Sequence, residues 1–223
     1  MLGRLFGRRK SAEQLEVEAE AWNREKEQML EGVLGKEHDR VMHAIIPFAV
    51  GGGLDLYYYP NLPKELGGRG TAVATKELVE TRGRGPSNRV YKAYELAMAT
   101  RLPLDLDQVK DADTEFGAVH ARINGVLNAI ARYASEAKLN PNETMEFPDD
   151  EDFGALAGRC LILDALAEPS VAKRVGCGLM LIMEIHRSEM QFAMQGQQGA
   201  ELLARLKKAG HYPFSDLTRD AVA

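Results

Sequence analysis

Apolar positions change their period along this chain, and each change predicts a different element. Leu15, Trp22, Met29 and Val33 recur at steps of seven, seven and four, which puts them on one stripe of a helix. Glu13, Glu16, Glu20, Arg24, Lys26 and Glu27 fill its other faces. Ser11 followed by Gln14 is a capping-box pattern, and Gly35 follows the last periodic residue, so the helix is expected over 11–34. The stripe is narrow. Packing on the rest of the chain is the first expectation, and pairing with a second copy is the alternative.

Residues 37–101 lose that period. Ala44–Val50 is a short apolar run broken by Gly51-Gly52-Gly53. Leu54–Tyr59 reads as an aromatic strand ended by Pro60, Thr71–Thr75 as a second strand, and Val90–Thr100 as a third after the turn-rich loop Arg82–Asn88. Together they predict an antiparallel meander. From Asp113 the helical period returns: Phe116, Val119, Ile123, Leu127, Ile130 and Ala134 predict a helix ending near Leu139, because Asn140 precedes Pro141 and is pushed out of helical geometry. Arg159–Leu166 and Gly176–Ile185 are apolar strands, and unbroken apolarity over Leu179–Met183 predicts burial on both faces. Ser188 with Gln191 suggests a second capping box. Leu202, Leu203 and Leu206 define a last helix, with Lys207 and Lys208 at its C-terminus and Gly210 to stop it.

Composition narrows the class. The chain has 223 residues, 45% of them apolar, and a formal net charge of −5. One large domain with an extension fits this length. The acidic balance lacks the basic footprint of a nucleic-acid binder. No run approaches the ~18 apolar residues of a membrane span. Residues 1–10, with Arg4, Arg8, Arg9 and Lys10 around Leu2, Leu5 and Phe6, make a poor secretory signal and read as a disordered basic tail. Cys160 and Cys177 sit inside apolar runs, as reduced core cysteines of a cytoplasmic protein do.

The chemistry-bearing residues are sparse. His38, His43, His120, His186 and His211 show no four-residue helical pairing, so no metal site is expected. There is no nucleophile elbow, and Cys177 with His186 lacks a positive neighbour to activate the thiol. Gly51–Gly53 and Gly67–Gly70 are not followed by helices, so they read as turns rather than phosphate loops. The acidic stretch Glu146–Asp152 lacks calcium-loop spacing. No cofactor is implied. Glu95 and Arg101 are candidates for a partly buried ion pair. In Tyr57-Tyr58-Tyr59, alternation sends Tyr57 and Tyr59 to one face and Tyr58 to the other; an exposed tyrosine would anchor an interface, and core packing is the alternative. Tyr57, Tyr59 and Arg101 are thus the candidate binding residues. For an enzyme with an unrecognised acid–base site, the candidates are Glu95, Asp55 and His43.

Several segments in order carry a resemblance. Thr71–Val79, Tyr94-Glu-Leu-Ala-Met-Ala-Thr-Arg101, Leu127-Asn-Ala-Ile-Ala-Arg-Tyr133, Leu161–Pro169, Gly178–Leu206 and Asp216-Leu-Thr-Arg219 resemble successive segments of the Suppressor of fused domain. Each is weak alone, whereas six in the right order over about His38–Asp220 are fairly specific. Lys36–Tyr59 looks more like the bacterial single-domain members. The resemblance implies an α+β domain over 37–221, with a mixed, largely antiparallel β-sheet flanked by helices, and residues 1–36 as a basic tail and amphipathic helix outside it. Glu95, Arg132, Tyr133, Asp216 and Arg219 fall on the family's structural motifs. It also implies a non-enzymatic binding domain. Bacterial members are commonly proposed as immunity proteins, so a protein partner, a toxin, is the expectation. A self-associating scaffold, with the 11–34 helix pairing a homodimer, is a further alternative.

Overall fold

The computed structural model describes residues 11–223, so the expectation for the basic segment 1–10 lies outside the described residues. Seven strands form one sheet: β1 (Val41–Met42), β2 (Leu56–Pro60), β3 (Thr71–Ala74), β4 (Tyr94–Thr100), β5 (Thr144–Glu146), β6 (Cys160–Ala165) and β7 (Gly178–Ile185). Their order across the sheet is β1-β2-β3-β4-β7-β6-β5. Neighbours are antiparallel except β4 with β7. The predicted three-strand meander is β2 to β4, and β1, which the sequence did not show, extends it at the edge by pairing with β2. The one parallel pair is joined by a long crossover, as parallel strands require.

Register and alternation assign the faces. Tyr58, Val73 and Met98 stand in line across β2, β3 and β4; Tyr57, Ala74, Ala97 and Leu181 form the adjacent line, on the opposite face. Helix α2 (Glu115–Ala134) covers the Tyr58 face, where the Tyr58 hydroxyl meets His120 Nε2 at 2.9 Å. Helices α1 (Ala12–Leu34), α3 (Pro169–Val175), α4 (Arg187–Met194) and α5 (Gly199–Lys208) cover the other. There α1 and α3 lie over β4 and β7, with the Trp22 indole N–H donating to Val175 O at 2.9 Å. Helices α4 and α5 bury Met190, Leu202, Leu203 and Leu206 against Ile162, Leu181, Met183 and Ile185. The result is an α+β fold with a mixed, largely antiparallel sheet between helical layers. Every residue of β7 is buried, because it lies between β4 and β6 with helices on both faces.

Local chemistry explains the boundaries. Ser11 and Gln14 exchange capping bonds of 3.1 and 3.2 Å at the start of α1, and Gly35 ends it at φ +91°. Strand β4 begins at Tyr94 rather than Val90, because the Asn88 side chain accepts from the Val90 and Tyr91 amides and turns the chain there. Helix α2 stops at Ala134, ahead of the limit set by Pro141. Helix α3 lies in a stretch without a helical stripe long enough to predict it; Pro169 opens it and Gly176, at φ +79°, closes it. The strand expected from Gly176 therefore starts at Gly178. Helix α4 starts after His186, whose N–H donates to Glu189 Oε2 at 2.9 Å, so the box predicted at Ser188 and Gln191 is not the one used. Ser188 donates instead to Ala223 O.

The N-terminal helix is not an appendage. Trp22, Met29, Leu30 and Leu34 belong to the same buried cluster as Tyr58, Leu96 and Leu179. Burial of such side chains stabilises by ~1.5–3 kcal/mol each. The sequence-derived boundary at residue 36 thus divides a helix from a sheet that share one core.

Candidate protein-interaction surface

The loop between β1 and β2 presents the densest set of exposed apolar side chains. Pro47 leads into a short 3-10 turn over Phe48–Val50, and Gly51 leaves it at φ +89°. Gly52 N–H donates to Pro47 O and Gly53 N–H to Ile46 O, both at 3.0 Å, closing the loop on itself. A Cβ at Gly52 would lie 1.7 Å from Ile46 O, so only glycine permits this closure.

Helix α2 staples the loop down. Arg132 donates through Nη2 to Gly52 O at 2.7 Å and to Gly51 O at 3.3 Å, with its guanidinium 5.6 Å from the Phe48 ring. Asn128 Oδ1, one turn earlier, accepts from Leu54 N–H at 2.9 Å. At the base, Asp55 accepts from Ala44 N–H at 2.9 Å and meets His43 Nδ1 at 2.6 Å. The loop backbone is fixed, yet Ile45 is 102% exposed, Val50 74% and Ile46 57%; Tyr133, next to Arg132, is 50% exposed. A cleft of about 700 Å³ beside the loop is lined by Phe48, Ala49, Leu78, Ala131 and Glu77. Burial raises the Glu77 carboxyl above its usual range; the Asp55 amide opposes this, and the nearby Asp55, Glu95 and Glu80 charges reinforce it.

The structure separates the residues singled out from sequence. Tyr59 is fully buried and donates to Glu37 Oε2 at 2.7 Å, so its ring faces the interior rather than solvent. Tyr57 is half-buried under the Lys76 ammonium, 4.4 Å from the ring centre, and burial, then Asp55, Glu77, Glu37 and Glu95, pushes its phenol to about 12. Arg101 lies elsewhere, over the Phe214 ring at 4.5 Å, bonded to Gly210 O and 3.6 Å from Asp216. The expected Glu95–Arg101 pair is therefore replaced: Glu95 is buried beneath α1, where it accepts from Thr75 Oγ1 at 2.7 Å, Val79 N–H at 3.0 Å and Leu78 N–H at 3.2 Å, with Lys26 Nζ at 3.4 Å. Of the three acid–base candidates, His43 and Asp55 are brought together, and Glu95 is enclosed in a separate network. Among the described residues, no serine, threonine or cysteine is hydrogen-bonded to His43. No group of three metal-binding side chains occurs among them either.

The remaining motif residues divide between loop and tail. Arg132 holds the loop, and Tyr133, next to it in α2, is half exposed. Arg219 pairs with Glu189, and Asp216 accepts from Thr218 and faces Arg101. Burial raises the Asp216 carboxyl, but the Thr218 bonds and the Arg101 and Arg219 charges outweigh this and hold it below its ordinary value. Ile45, Ile46 and Val50 were visible in the sequence only as an apolar run. The available signal was Pro47 inside the run and three glycines after it, which deny it a place in the sheet interior.

A seven-stranded open mixed sheet between helices, carrying a stapled apolar loop, defines an α+β domain. Its structural likeness is to Suppressor of fused. The crystal structure of the Sufu–Fu complex is similar at a TM-score of 0.52 and 12% identity, over 92% of this chain and 91% of that one. The crystal structure of Drosophila Suppressor of Fused is similar at a TM-score of 0.48 and 12% identity, over 90% of this chain and 50% of that one. The chain has the Suppressor of fused-like fold. No protein-family model matches it, and no curated protein matches it in sequence. No helix among the described residues is long and apolar enough to cross a membrane.

Proposed function

We propose that this is a non-enzymatic, cytoplasmic binding protein whose protein partner seats on the β1–β2 loop, and that the partner is a toxin it neutralises as an immunity protein. The observation that carries the binding reading is the loop itself: Ile45, Ile46 and Val50 stay in water on a backbone fixed by Arg132, Asn128 and two internal bonds. A pre-ordered apolar patch loses little entropy on binding and gains the burial it forgoes in the free protein. The structurally similar Sufu–Fu complex is, by its name, an assembly of two proteins, which supports the same reading by analogy of fold.

The test compares partner recovery from the native host by the wild-type chain and by Ile45→Ser/Ile46→Ser. The expected result is one stoichiometric protein partner with the wild type, at least tenfold loss with the variant, and unchanged melting temperature. A variant that keeps the partner at wild-type affinity, or a wild type that binds lipid vesicles instead, overturns this reading. A recovered partner without toxicity removes the immunity role alone. The His43–Asp55 contact favours a second reading, general base chemistry at an exposed imidazole oriented by a carboxylate. It predicts an activity abolished by His43→Ala with the fold intact.

A further inference from the structure

The first turns of α1 stand clear of the domain. Every residue from Ser11 to Glu20 is exposed, although Leu15 continues the stripe on which Trp22 and Met29 are buried. The flank of α1 opens into a groove in two parts. The outer part, about 490 Å³, is floored by Leu15, Ala19 and Trp22 and bordered by Glu80. The inner part, about 840 Å³, is lined by Met29, Val33, Val171 and Val175. Glu25 and Arg82 line both parts and are paired with each other where the two meet. At 1.5 Å per residue, Leu15 and Val33 lie roughly 27 Å apart along α1, room for a helix of about 18 residues.

The charge on this groove is mainly negative: Glu18, Glu25, Glu65, Glu80 and Glu168 line it against Arg82 and Arg174. Helix α1 carries seven glutamates against Arg24 and Lys26, an excess equal to the whole chain's net −5. Lys26 adds nothing to the surface: it points inward, donating to Lys76 O at 2.7 Å and Val79 O at 2.8 Å. Glu65, Glu80 and Glu168 add to the rim, where Arg82 is already engaged by Glu25 and Arg174 is the other cation of the lining. A second copy of α1 has the wrong chemistry for this site, because two such helices would bring fourteen glutamates together. We propose that the groove along α1 docks a helix of a protein partner that is apolar at three- and four-residue steps and basic on its flanks. This surface is separate from the β1–β2 loop and does not rest on it.

The probe is a labelled 18-residue helical peptide with leucines at positions 1, 4, 8, 11 and 15, lysine and arginine elsewhere, and no tryptophan; the full chain is titrated and read by anisotropy. Trp22, the chain's one tryptophan, lines the groove and reports occupancy through its own emission. Binding is expected, with a shift of Trp22 emission. Replacing the peptide's leucines with serine, or its basic residues with glutamate, should weaken binding at least tenfold. Leu15→Ser and Glu80→Lys should each weaken it at least fivefold, with the free protein's Trp22 emission unchanged. Ile45→Ser/Ile46→Ser should bind the peptide as wild type does, which separates this site from the loop. Equal binding of the serine peptide shows charge attraction alone and overturns the proposal. So does wild-type affinity in both Leu15→Ser and Glu80→Lys, or a free chain that sediments as a dimer broken by Leu15→Ser.

Discussion

Arg219 grips Glu189 through both terminal nitrogens, at 2.6 and 2.7 Å, across thirty residues of sequence, with both side chains buried. The same carboxylate accepts from His186 N–H at the start of α4 and from Val222 N–H in the tail, each at 2.9 Å. One buried acid therefore joins a helix N-terminus to the end of the chain. Burial raises the Glu189 carboxyl, but Arg219 and the two amides outweigh it and hold it below the usual carboxylate range.

Removing either partner leaves the other charged and buried. Glu189→Ala and Arg219→Ala should each cost ~3–5 kcal/mol in urea unfolding. The tail from Asp216 should become sensitive to protease in both.

Acid should destabilise the fold in two stages. Burial lowers the His120 imidazole from 6.5, against the opposing bond to Val109, and it faces the Tyr58 hydroxyl and the Phe116 ring. As pH falls below about 6.5 the unfolded chain protonates this histidine while the folded chain resists, so stability declines there. Glu189 and Asp216 have lowered folded values. Their contribution is present above the unfolded value of about 4 and is lost as pH falls through the folded values. Urea midpoints from pH 8 to 3 check this, and His120→Gln should flatten the decline between pH 7 and 5 alone.

Lys26 locks α1 to the sheet. Lys26→Ala strands Glu95, which retains its bonds to Thr75, Leu78 and Val79 but loses its cation. A loss of roughly 3–5 kcal/mol is expected by urea unfolding, with Trp22 emission turning red before the global transition.

The β1–β2 loop should tolerate changes at its tip and not at its closure. Ile45→Ser should alter stability by no more than about 0.5 kcal/mol. Gly52→Ala forces the closure open, because its Cβ meets Ile46 O. Amide hydrogen exchange at positions 52 and 53 should then speed at least tenfold, and Arg132→Ala should have a smaller effect in the same direction.

Neither thiol should react in the native state. Cys160 and Cys177 are free and buried, and burial raises both thiols. Titration with a thiol-specific disulfide reagent should give no fast phase until denaturant is added.

Period and local capping determined the elements that a short window can specify. Ser11 with Gln14 placed the start of α1, the stripe from Phe116 to Ala134 placed α2, and the unbroken apolarity of Leu179–Met183 marked the central strand. These signals depend only on neighbours within a turn or a pleat, which is why they are legible in one dimension. The alternation of Tyr57, Tyr58 and Tyr59 was equally legible, but not which face stays wet: α1 and the Glu37 segment cover Tyr59, a contact no window contains. Tertiary packing alone decided that Glu95 pairs with Lys26 and not Arg101, and that Arg219 finds Glu189. It also decided that the apolar run at 44–50 stays outside the core, because Arg132 and Asn128, some eighty residues onward, pin the loop to α2. Buried charges must find partners wherever the fold brings them, so sequence shows which groups need a partner and only the folded chain supplies it.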